Sequence, residues 1–73
     1  MTEYIIWRQP ETLGLAFETA VSRMKAEPGV EITNKMGMGN GGVMIVQAGS
    51  NFLTTLETKL PGWSQMPQAG KPL

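Results

Sequence analysis

The residues whose types and spacing could do chemistry are few. Gly37, Gly39 and Gly42 stand in a literal G-x-G-x-x-G, the spacing with which a dinucleotide-binding loop lets a pyrophosphate approach a helix N-terminus. Here the run Val43-Met44-Ile45-Val46-Gln47-Ala48 follows and reads as a strand. The helix dipole that a phosphate cradle needs is missing, and a flexible hairpin tip is the expected role. Met36 and Met38 would serve there as adaptable contacts. Ser50 precedes a helical pattern but has no base to activate it, so capping is its expected use. Glu31, Glu57 and the other carboxylates show no paired spacing suited to acid–base work.

What is absent narrows the chemistry further. The 73 residues contain no His and no Cys, and all six acidic residues are Glu, so there is no Asp. That removes thiolate nucleophiles, Ser-His and Cys-His couples, iron–sulfur ligation and the usual structural zinc ligands. No catalytic residue, cofactor or metal site is expected, and the chain reads as a binding module, not an enzyme. Six Lys and Arg balance the six Glu, with a pI near 6.1. Nucleic acids and anionic membranes are usually held by a basic surplus, so neither is an expected partner. No apolar run approaches the roughly 20 residues that span a bilayer. The start shows no secretion signal, which reads as cytoplasmic for the chain as written.

The elements that must position any site follow from periodicity. Glu3 to Arg8 reads as a strand, with Tyr4, Ile6 and Arg8 on one side and Ile5 and Trp7 on the other. Pro10 opens a predicted helix whose apolar stripe is Leu13, Ala16, Phe17, Ala20, Val21 and Met24, stopped by Pro28-Gly29. Gly14 lies inside that helix at a cost of roughly 1 kcal/mol against Ala, which marks a close approach to the sheet. Val30 to Lys35 is a second strand. Asn40-Gly41 signals a hairpin into the third strand, Val43 to Ala48. Ser50 caps a second helix over Asn51 to Leu60, with Phe52, Leu53, Leu56 and Leu60 on its apolar face. Trp63 to Met66 is a short fourth strand. Residues 67–73, with two prolines and a glycine, read as an extended tail beyond a single domain of residues 1–66.

This order predicts an α+β fold, the ferredoxin-like βαββαβ two-layer sandwich: a four-stranded antiparallel sheet with two helices on one face. The expected spatial order is four-one-three-two. The other face of the sheet is then left open, and an open face bearing apolar groups must be solvated or bind something. RNA-binding sheets of this topology stack bases on central-strand aromatics, but Val43, Met44, Ile45 and Val46 supply none. The candidate contact residues for a protein partner are Tyr4, Trp7, Met44, Val46 and Trp63, joined by the tail residues Gly70, Lys71, Pro72 and Leu73. Alternation alone leaves Trp7 either on the open face or under the helices.

The layout resembles the subtilisin propeptide and its stand-alone proteinase-inhibitor relatives. The likeness rests on the opening Tyr4-Ile5-Ile6-Trp7 strand, the first helix, the Gly-rich hairpin, the short second helix and the closing strand before an extended C-terminus. The resemblance implies an inhibitor whose open sheet face packs on surface helices of a subtilisin-like protease. It also implies a tail that lies along the active-site cleft, with Leu73 at the primary specificity pocket. The other reading is a small homodimeric assembly or ligand-binding module that pairs two copies through the open face.

Overall fold

The computed structural model describes residues 1–11 and 13–66. Its elements run β1 (Thr2–Arg8), α1 (Phe17–Ala26), β2 (Glu31–Met38), β3 (Gly41–Ala48), α2 (Phe52–Lys59) and β4 (Ser64–Met66). The fold is α+β, with two helices and one four-stranded sheet ordered β2-β3-β1-β4. Every pairing is antiparallel. β3 therefore lies between β1 and β2, and β1 between β3 and β4, which is compatible with a ferredoxin-like fold. The two most apolar strands occupy the centre, where both edges of each are paired to neighbouring strands.

Register decides which residues share a side. Tyr4 opposes Val46 and Ile6 opposes Met44. These four are buried in one cluster with Ala20, Val21 and Met24 of α1, Phe52 and Leu56 of α2, and Leu60 and Trp63 beyond it. Each large apolar side chain removed from water in this way contributes about 1.5–3 kcal/mol. Tyr4 keeps its hydroxyl satisfied by donating to the Gly49 carbonyl at 3.1 Å while its ring lies 4.9 Å from that of Phe52.

α1 begins seven residues later than the Pro10 start that the apolar spacing predicts. Leu13, counted in the helical stripe, is 93% exposed. Gly14 takes φ +156°, and a Cβ there would sit 2.6 Å from the Pro61 carbonyl and 2.7 Å from Gly62 Cα. The Leu15 N–H donates to Pro61 O at 2.8 Å, and the Trp63 indole N–H donates to Leu15 O at 2.8 Å. The close approach inferred from Gly14 is real, but it is to the turn after α2. A chain tied there cannot also continue a helix.

The remaining boundaries shift for similar local reasons. β2 runs on to Met38, so the hairpin turn is only Gly39-Asn40, with Gly39 at φ +59° and Asn40 at negative φ. Positive φ at the first of two turn residues is what glycine supplies, one position ahead of the Asn40-Gly41 pair. Gly41 is inside β3, where a Cβ would collide with the Arg8 carbonyl. Asn51, not Ser50, is the N-cap of α2, and it makes no side-chain capping bond; the Phe52 N–H donates to Gly49 O at 3.1 Å. Leu53 is largely exposed, whereas Leu60 caps the helix and is fully buried.

Candidate functional site

The side of the sheet that carries Ile5, Trp7, Val43 and Ile45 is the opposite parity from the core, and each of these residues is only half-buried. Pairing aligns them in rows. Asn34, Ile45 and Ile5 form one, and Met36, Val43, Trp7 and Ser64 the next. A polar row of Glu31, Gln47 and Glu3 closes one end, and Met38 with Gly41 begins the hairpin at the other. The result is an apolar centre on β1 and β3, a methionine edge on β2, and carboxylates at one end. Met36 and Met38 are 67% and 47% exposed.

The structure separates the expected contact residues. Trp7 lies on the open face. Tyr4, Met44, Val46 and Trp63 are all buried in the core with the helices, so burial removes them from any docking surface. Ile5, Val43 and Ile45 share the side of the sheet that carries Trp7. A signal for this was available in the alternation: one parity of β3 is Met44, Val46 and Ala48, wholly apolar, while the other contains Gln47 and pairs with Glu3 of β1. Gly70, Lys71, Pro72 and Leu73 lie outside the described residues, as does the boundary of the tail.

The glycine-rich hairpin is held in place. Asn40 O accepts from the Arg8 guanidinium at 2.5 Å and from the Phe17 N–H at 2.9 Å. The Phe17 ring lies on Gly37 and Gly42, where an added Cβ would come within 3.0 Å and 2.6 Å of it. These glycines make room for Phe17 and for β1, and the tip is tied down where a flexible one was expected. The phosphate-cradle spacing is thus used for packing.

The outer edge along β2 carries its own protection. A register shift falls between Ile32 and Asn34, and the Thr33 hydroxyl donates to Ile45 O at 3.1 Å within it. The Lys35 N–H donates to Asn34 Oδ1 at 2.8 Å. A bulge, a charged residue and a side chain that satisfies a main-chain donor all discourage strand addition. Among the described residues no three of His, Cys, Asp and Glu gather into a set that could hold a metal ion.

Comparison with family models, with curated proteins and with solved structures returned no match.

Proposed function

We propose that the chain is a ferredoxin-like two-layer sandwich acting as a non-catalytic, propeptide-like inhibitor that docks on a subtilisin-like serine protease by the open face of its sheet. The observation that carries this reading is the contrast in parity. The core is complete on one side of β1 and β3, and the other side still presents Ile5, Trp7, Val43 and Ile45 in register, with Met36 beside them. Aromatic and methionine side chains of this kind are enriched in the centres of protein interfaces. Burying the patch supplies affinity, and the protein contributes no bond-making step. In this reading residues 70–73 occupy the cleft of the protease in the manner of a substrate.

The test is inhibition of a set of subtilisin-like proteases by the full chain, by a Trp7→Glu variant and by a chain ending at Met66. Inhibition by the full chain that is weakened by both changes is expected. Absence of inhibition, or equal inhibition by all three, contradicts the reading. Sedimentation checks the same face independently: a monomer is expected, and a dimer that persists on dilution would mean that a second copy covers it.

A further inference from the structure

Four of the six methionines sit in two contrasting environments. Met24 of α1 and Met44 of β3 are 0% exposed, in the core beneath the helices. Met36 and Met38 of β2 are 67% and 47% exposed. Residues two apart on a strand share a side. Both therefore lie on the side of the sheet that carries Val43 and Trp7, with Met36 opposite Val43 and Met38 opposite Gly41. β2 is an outer strand with a single neighbour, and the glycine opposite Met38 has no side chain to cover it. Met1, 82% exposed, precedes β1 and belongs to neither pair.

We infer that Met36 and Met38 form a reversible oxidation site that changes the polarity of the open face and leaves the core intact. The oxidant is a hydroperoxide. A sulfur lone pair attacks one peroxide oxygen, the O–O bond breaks and an S–O bond forms; with hydrogen peroxide the other oxygen leaves as water. Sulfur is oxidised by two electrons and the peroxide is reduced by two. The sulfoxide is polar where the thioether was apolar. At Met36 and Met38 water solvates it. At Met24 and Met44 it would be a polar group at full burial, which is costly, and peroxide reaches those sulfurs only when the fold opens. The inference stands on this contrast in exposure and does not rest on the protease reading. Oxidation is read directly, whether or not any protease is inhibited.

The experiment treats the full chain with hydrogen peroxide at neutral pH and assigns each added oxygen by tandem mass spectrometry of its peptides. Met36 and Met38 are expected to oxidise at least about tenfold faster than Met24 and Met44. The oxidised chain should stay folded by circular dichroism while its retention on a hydrophobic-interaction column falls. Methionine sulfoxide reductases of both epimer specificities should restore mass and retention. The double variant Met36→Leu/Met38→Leu, which keeps Met1 and Met66, should lose most of the retention change. Oxidation of Met24 or Met44 as fast as Met36 and Met38 overturns the inference. So does retention that peroxide leaves unchanged, an equal change in the double variant, or an oxidised chain that unfolds or that the reductases do not restore.

Discussion

The two sides of the sheet are made from alternate residues of the same two central strands, and the same kinds of side chain behave differently on each. Ile6 and Val46 are fully buried beneath the helices, while Ile5 and Ile45, one residue away, are half-exposed. Hydrophobicity per residue does not distinguish the sides. What does is where the connections go: α1 and α2 bring Ala20, Val21, Met24, Phe52 and Leu56 into one cluster with the even-numbered residues of β1 and β3. An apolar side chain on one side holds the fold together, and its neighbour on the other stays half-exposed.

The sharpest way to test that contrast is truncation of matched isoleucines. A domain of 73 residues holds ~4–11 kcal/mol at roughly 0.05–0.15 kcal/mol per residue. Ile6→Ala is expected to cost about 2–5 kcal/mol in urea unfolding, enough to approach global unfolding. Ile45→Ala should cost about 1 kcal/mol. Equal losses at the two sites would mean that the sheet is covered on both sides. Next in size is Gly41→Ala, which forces a methyl group into the Arg8 carbonyl. A loss of about 1–3 kcal/mol is expected, and an unchanged unfolding midpoint would show that the hairpin is free to move away from β1.

Trp63→Phe removes the indole donor to Leu15 O while keeping an aromatic ring in the core. It should cost about 1 kcal/mol, with faster amide hydrogen exchange at Leu15 as the local signature. The smallest expected effect on stability is that of Asn34→Ala, a few tenths of a kcal/mol at an exposed site. That change frees the Lys35 N–H on the outer strand, and light scattering should show increased self-association. No increase would leave the bulge at Ile32–Asn34 as sufficient protection for the edge.

Much of the architecture was legible in the sequence because it depends on periodicity. The order of elements, the pairing of β2 with β3 and most of the buried residues of both helices follow from spacing alone. What was not legible depends on contacts distant in the chain. The start of α1 is set by Pro61 and Gly62, which hold Gly14 and Leu15, and no local pattern near Leu13 reveals them. Gly41, beside the turn at Gly39-Asn40, lies against the Arg8 carbonyl of the neighbouring strand, a contact 33 residues away in the chain. The site was legible only in outline. An open face was expected, but Tyr4, Met44 and Val46 belong to its reverse, because a strand that is apolar on both sides gives parity without direction.

The most direct test of an open, recognition-ready face is solvent accessibility measured by methyl NMR with a soluble paramagnetic probe. The expected result is strong broadening of the Ile5, Val43 and Ile45 methyl signals in the free chain, with Ile6, Val46 and Leu56 unaffected. Addition of an inhibited subtilisin-like protease should restore the first set. Equal protection of both sets in the free chain, or continued broadening of Ile5, Val43 and Ile45 with the protease in excess, would contradict docking through this face.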